Sequence, residues 1–117
     1  MKVRCVNLKD KLPDSAWLTE GKEYVVLSIF IDQRKKLLFR LIGDDGRIPA
    51  IYDSQLFSII SSNIPQNWIT KVEEGYMELS PETWSRIGFW EEYFEGESTA
   101  KKIFEEEREK IIKSDMN

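Results

Sequence analysis

Histidine is absent from this chain of 117 residues, and cysteine occurs once, as Cys5. Without an imidazole the chain cannot build a Ser-His-Asp or Cys-His triad, and it lacks the commonest acid–base group of catalysis near neutral pH. One cysteine cannot form an internal disulfide or supply the several Cys and His ligands of a common zinc site. We therefore expect a non-enzymatic protein with no cofactor and no metal, although carboxylate and lysine chemistry stay open.

Long hydrophobic runs are also missing. No stretch approaches the roughly 20 apolar residues that a membrane-spanning helix needs. Residues 1–5, Met-Lys-Val-Arg-Cys, lack the apolar core of a signal peptide. These absences predict a cytoplasmic protein with no membrane partner.

The charge is divided unevenly along the chain, although the net charge is only −4. Residues 1–72 contain 11 basic and 8 acidic side chains, whereas residues 73–117 contain 6 basic and 13 acidic ones. An acidic half repels nucleic acid and attracts basic partners. The excess of basic residues in the first half is too small to indicate a nucleic-acid surface.

Segments rich in Val, Ile, Tyr and Phe alternate with turn residues in the first 60 positions. They predict five short strands, and Gly43-Asp44-Asp45-Gly46 has the composition of a tight hairpin turn. Such a series of short strands favours a small five-stranded antiparallel β-barrel over residues 1–60. The predicted strands cover residues 3–7, 23–31, 37–42, 47–52 and 58–60, and a loop is predicted over residues 9–18.

The second half predicts a β-hairpin followed by helices, which makes the chain an α+β protein. A loop at residues 61–65 is the best internal boundary, so residues 61–117 form a second part that packs on the barrel as one compact unit. Two strands flank the turn Glu73-Glu74-Gly75. Ser80-Pro81 predicts the start of a helix that ends near Gly88, and further helices are predicted over residues 89–95 and 99–113.

The stretch Ser80–Phe94 concentrates aromatic and acidic residues. Glu91 and Glu95 lie four residues apart and share a face if this segment is helical, beside Glu92. Paired carboxylates serve glycosidases, but that chemistry also requires a deep sugar cleft. A solvated helix face and an acidic docking surface are the alternatives. Among the four tryptophans, at least two are expected in the core, and Trp17, in a polar loop, is expected to be partly exposed.

The first half resembles the small Src-homology-like barrels of short bacterial and phage proteins. The resemblance rests on Leu18-Thr19-Glu20-Gly21-Lys22-Glu23-Tyr24-Val25-Val26, on the turn at residues 43–46, and on Tyr52-Asp53-Ser54-Gln55-Leu56-Phe57. In that family the first motif reads Leu-Thr-x-Gly-Lys-x-Tyr-x-Val, and the barrel closes after a short Leu-Phe turn. The resemblance implies a fold and no activity.

The second half resembles small bacterial immunity-type proteins of polymorphic and contact-dependent toxin systems, which are non-enzymatic. The residues that support this are Pro81, Trp84, Gly88, Phe89, Trp90, Glu91, Tyr93 and Phe94, followed by the acidic last helix. The resemblance implies that the chain binds a cognate toxin domain, such as a basic nuclease, and occludes its active site.

From the acidic charge of the second half we predict a basic protein partner and no nucleic acid. The predicted contact residues are Glu73, Glu74, Glu91, Glu92 and Glu95, with Trp17 as an aromatic anchor. The alternative is a phage or mobile-element accessory module whose barrel binds a peptide or nucleic acid through residues 34–40.

Overall fold

The computed structural model describes residues 1–8 and 17–115, so most of the predicted loop at residues 9–18 lies outside the described part. The α+β prediction is confirmed: strands form two antiparallel sheets, and helices follow them. The elements are β1 (Lys2–Cys5), β2 (Glu23–Val25), β3 (Ser28–Ile31), β4 (Leu37–Ile42), β5 (Pro49–Asp53), β6 (Phe57–Ser61), β7 (Trp68–Glu73), β8 (Tyr76–Pro81), α1 (Phe89–Phe94) and α2 (Ser98–Ser114). Within this part of the chain, no helix is both long enough and apolar enough to cross a bilayer.

The strands divide between a three-stranded sheet of order β2-β1-β6 and a five-stranded sheet of order β5-β4-β3-β8-β7. The predicted barrel of five strands is therefore not present as one closed sheet. The predicted strand over residues 23–31 is interrupted at Val26 and Leu27, which are both buried, and its two pieces join different sheets. In a barrel confined to residues 1–60, β3 would pair within that part, but Phe30 pairs with Leu38 on one side and with Glu78 of β8 on the other.

Side chains between the two sheets form the first part of the core. Phe57 of β6 contacts the rings of Tyr24, Phe39 and Tyr52 at centroid distances of 6.3, 6.1 and 6.4 Å. Because successive strand residues point to opposite faces, this places one face of the five-stranded sheet against the three-stranded sheet. The other face of the larger sheet packs against residues from the second half of the chain.

The predicted helix over residues 80–88 is wrong, and a strand end replaces its start. Pro81 is the last residue of β8 and pairs with Trp68; a proline is tolerated there because the ladder between β8 and β3 has already ended at Leu79. Ser80 does not cap a helix, since its hydroxyl donates to Glu78 at 2.9 Å. A single 3-10 turn over Glu82–Ser85 follows, and α1 begins only after Gly88, whose φ of +87° suits glycine.

An aromatic cluster joins the two helices to the sheets. Trp84 is 1% exposed and stacks on Phe104 of α2 with ring centroids 4.9 Å apart. Tyr93 of α1 contacts the same ring at 4.8 Å, and Phe89 is fully buried beside Trp90. The expectation that at least two tryptophans lie in the core is confirmed, because Trp68 is buried as well.

The connection between β4 and β5 is a hairpin as predicted, but it is wider than the predicted tight turn, because the last strand pair is Ile42 with Pro49; Asp44 holds it in place. The carboxylate of Asp44 accepts hydrogen bonds from the Thr19 hydroxyl at 2.7 Å, the Tyr24 hydroxyl at 2.8 Å and the Lys22 ammonium at 2.9 Å. The hydrogen bond from Thr19, followed by those from Lys22 and Tyr24, lowers the pKa of Asp44, although partial burial opposes this. Asp44 thus ties the turn to the start of β2.

We expect Asp44→Asn to lower the free energy of unfolding by about 1 kcal/mol at pH 7, because the ion pair with Lys22 is lost and the amide offers one acceptor oxygen instead of two. The folded-state pKa of Asp44 is depressed, so its stabilisation is complete above the unfolded-state pKa of about 4 and is lost as the pH falls through the folded-state value. The difference between wild type and variant should therefore shrink below about pH 4.

Urea unfolding at pH 7, 5 and 3 measures this difference. Asp45→Asn is the matched control, because the Asp45 side chain in the same turn accepts one hydrogen bond, from the backbone N–H of Ile48. An equal loss of stability in both variants, or a difference that does not depend on pH, would contradict the role assigned to Asp44.

Candidate binding site

Helix α1 presents one exposed face that combines acidic and apolar side chains. Phe89 and Tyr93, four residues apart, are buried, which turns Glu91, Phe94 and Glu95 towards solvent. Phe94 is 57% exposed, and Ile87, just before the helix, is 93% exposed. We call these four residues, Ile87, Glu91, Phe94 and Glu95, the α1 face.

The carboxylates of the predicted site differ in their partners. Glu92 pairs with Arg86 at 3.0 Å, and Glu73 lies 3.6 Å from Lys71. Among the described residues, Glu91 and Glu95 form no ion pair and no side-chain hydrogen bond. Two carboxylates of the α1 face are therefore available to a cationic partner.

Trp17 is separated from the predicted glutamates of the hairpin turn. Its backbone carbonyl accepts a hydrogen bond from Asp44 in the β4–β5 turn, and its side chain is 54% exposed as expected. Glu73 and Glu74 lie at the β7–β8 turn. The strand registers place these two turns at opposite ends of the five-stranded sheet, so one compact contact surface does not include both.

The face of the five-stranded sheet that points away from the three-stranded sheet forms the floor of a cleft. Cross-strand pairing aligns Leu38, Phe30, Glu78 and Lys71 in one row, and Ile51 lies opposite Arg40 in the next. The segment from Trp84 to Glu91 forms the other wall, and the cleft has a volume of about 420 Å³. Its size falls in the range of small-molecule sites, roughly 300–1,000 Å³.

Arg40 is the central charged group of this cleft and is 6% exposed. The central carbon of its guanidinium lies 3.7 Å from the centroid of the Trp90 ring and 5.2 Å from that of Phe30, so the cation is held between two aromatic rings. Within residues 1–8 and 17–115, its Nε atom has no hydrogen-bond partner. Burial lowers the pKa of Arg40 to about 10, which leaves it protonated at neutral pH.

Glu78 is the nearest buried carboxylate, and its oxygens are already engaged. One accepts a hydrogen bond from the Tyr76 hydroxyl and the other from the Ser80 hydroxyl, each at 2.9 Å. Its negative charge favours the protonated form of Arg40, but among the described groups the two do not form an ion pair. Burial, and then the hydrogen bond to Glu78, raise the pKa of Tyr76 well above its ordinary value.

From the sequence, Arg40 belongs only to the alternative binding strand over residues 34–40, and Glu78 is not among the predicted contact residues. A signal for both was present, because each is a single charged residue inside an otherwise apolar strand: Leu-Leu-Phe-Arg-Leu-Ile in β4 and Tyr-Met-Glu-Leu in β8. A charge in such a position is expensive to bury unless it has a specific use. β3 then places the two on neighbouring positions of one sheet, because Ser28 pairs with Arg40 and Phe30 pairs with Glu78.

The chemistry that the site offers is binding through charge and aromatic contact. Nowhere in the described ranges do three or more acidic or cysteine side chains converge to hold a metal ion. Comparisons with models of protein families, with curated proteins and with solved structures find no match for this chain.

We expect Glu78→Gln to lower the pKa of Tyr76 towards its ordinary value of about 10, because the neutral amide no longer repels a phenolate. NMR of tyrosine labelled with ¹³C at Cζ measures this between about pH 9 and 12. Tyr24, whose pKa is raised to about 12 by burial and by Asp44, is the control within the same molecule. An unchanged titration of Tyr76, or an equal shift of both tyrosines, would contradict the contact with Glu78.

Proposed function

We propose that this chain is a non-catalytic immunity protein that binds a bacterial toxin domain with a basic surface and occludes its active site. The observation that carries the proposal is the α1 face, where Ile87 and Phe94 are exposed next to the carboxylates of Glu91 and Glu95, which form no ion pair within residues 1–8 and 17–115. Exposed aromatic and aliphatic side chains beside charges are typical of protein-binding surfaces.

Charge complementarity supports a basic partner. The part of the chain after residue 72 has 13 acidic and 6 basic side chains, and the α1 face lies within it. Such a field speeds the encounter with a positively charged domain. Once docked, Phe94 and Ile87 would supply buried apolar area, and the bulk of the protein would exclude substrate from the toxin.

A finer fold assignment accompanies this proposal: residues 1–61 are an open form of the small Src-homology-like barrel. Three features support it. The successive strands β2 and β3 contribute to different sheets, a 3-10 turn over Ser54–Leu56 precedes the last strand, and that strand begins at Phe57, as the Leu-Phe motif of the family implies. The added hairpin β7–β8 leaves the barrel open beside β3.

The alternative, a module that binds nucleic acid through residues 34–40, has less support. Arg34, Lys35 and Lys36 are exposed, but Arg40 is buried beneath Trp90 and cannot reach a phosphate backbone that runs over the surface. An electrophoretic shift assay with generic duplex and single-stranded DNA distinguishes the two. A shift that weakens with added salt would favour the alternative.

The proposal is tested by co-expressing the chain with the product of the neighbouring gene. We expect rescue of growth and co-purification of the two proteins. A neighbour that is not toxic, and that does not co-purify, would overturn the proposed function.

Charge reversal of the α1 face should slow binding. We expect the double variant Glu91→Arg, Glu95→Arg to lower the association rate with the toxin domain about 10-fold at low salt, because steering depends on these carboxylates. Surface plasmon resonance at two salt concentrations measures the rate. The variant Glu20→Arg, Glu106→Arg makes the same change in net charge with two other exposed glutamates, and it should bind nearly as wild type. Equal rates for both double variants would mean that the α1 face is not the contact surface.

A substitution at Ile87 tests the contribution of this side chain to binding without a large effect on folding. Since its side chain is 93% exposed, Ile87→Ser should change the free energy of unfolding by less than about 0.5 kcal/mol. The dissociation constant for the toxin domain should rise about 10-fold if Ile87 is a buried anchor of the complex. Ile64→Ser, at an exposed isoleucine before β7, is the matched control. Unchanged affinity in Ile87→Ser would exclude Ile87 from the interface.

A further inference from the structure

We propose that the cleft between the five-stranded sheet and residues 84–91 binds a small organic anion, whose carboxylate or phosphate group is held by Arg40. This ligand site adjoins the proposed toxin contact, because Glu91 also lines the cleft and the ring of Trp90 contacts that of Phe94 at 6.0 Å. The proposal depends on a buried cation that the described residues leave unsatisfied, on a cleft of suitable size, and on apolar walls beside the charge.

The unsatisfied cation is the first argument. The three cationic side chains that line the cleft are Arg40, Lys71 and Arg86. Lys71 donates to the backbone carbonyl of Ser85 at 3.2 Å and lies near Glu73, and Arg86 pairs with Glu92. Arg40 is the most buried of the three, and in the described part of the chain its Nε–H has no acceptor. Leaving such a donor buried is costly, and a bound oxyanion would satisfy it.

The surrounding groups fix Arg40 in a position to bind. The guanidinium carbon lies 3.7 Å from the centroid of the Trp90 ring, a cation–π contact that holds Arg40 in place without using its N–H donors. Glu78 accepts hydrogen bonds from Tyr76 and Ser80, and among the described groups it forms no ion pair with Arg40, so the guanidinium donors are not bound by it. Planar donors of this kind match the two oxygens of a carboxylate or phosphate.

The apolar side chains that line the cleft indicate that the ligand carries an apolar group next to its charged group. Leu38 and Ile51 lie on the two strands β4 and β5 beside Arg40, and Ile51 is 44% exposed at the cleft. On the opposite side the cleft is bounded by the indole rings of Trp84 and Trp90. A flat or aliphatic group would bury this surface, whereas a free inorganic ion would not.

The experiment is an NMR titration of the full chain, labelled with ¹⁵N, at constant ionic strength. The three probes are benzoate, phenyl phosphate and inorganic phosphate. We expect saturable shifts of the Arg40 Nε–H and Trp90 indole signals with benzoate or phenyl phosphate, and the preference between these two identifies the charged group. Inorganic phosphate should bind at least about 10-fold more weakly, since it lacks the apolar group.

Variants assign the effect to Arg40. Arg40→Met should weaken binding of the preferred probe at least about 10-fold, because hydrogen bonds to a charged group are lost. Arg47→Met, at an exposed arginine in the β4–β5 turn, should bind as wild type. If Arg40→Met does not give a native spectrum, Trp90→Leu replaces it, and loss of the stacked ring should weaken binding in the same way.

The proposal is overturned if neither organic probe gives saturable shifts at Arg40 and Trp90 in the wild type. It is also overturned if Arg40→Met, or Trp90→Leu in its place, binds as tightly as Arg47→Met. Equal affinities for inorganic phosphate and phenyl phosphate would contradict the inference that the ligand carries an apolar group. None of these measurements involves the toxin domain, so their failure leaves the proposed function to its own test.

Discussion

The stacking of Trp84 on Phe104 is the contact on which the rest of the second half depends. Their rings lie 4.9 Å apart with an angle of 20° between planes, and both side chains are almost completely buried. Trp84 follows directly from the hairpin β7–β8, and Phe104 lies in the middle of α2. Because α1 is only six residues long, it has little stability of its own and is positioned by this contact through Tyr93.

The position of α1 in turn determines both candidate surfaces. Trp90 points inward from α1 and covers Arg40, whereas Phe94, four residues later, remains 57% exposed. One short helix therefore contributes Trp90 to the cleft and Phe94 to the α1 face, and the two rings contact each other at a centroid distance of 6.0 Å. A ligand in the cleft would contact Trp90. Binding of that ligand would therefore affect α1, the helix that we propose as the contact for the protein partner.

Local patterns predicted the elements that depend on local chemistry. The turn around Asp44 and the edge position of Pro49 follow from turn composition and from the missing N–H of proline, and the structure has both. The helix expected from Ser80 was wrong because pairing of Pro81 with Trp68 outweighed a local capping signal. The cleft around Arg40 could not be predicted, because it depends on which strands become neighbours and on the ring of Trp90, 50 positions later.

The pairing of β3 with β8 has a consequence for how the protein is made. During synthesis β3 leaves the ribosome well before β8. Trp84 cannot stack on Phe104 until residue 104 has also emerged. At about 5–20 residues per second, the 20 residues between the end of β6 and the end of β8 take roughly 1 to 4 s, and during this time the edge of β3 is unpaired. An open edge is a template for pairing with other chains, so this interval is when a chaperone would protect the protein most.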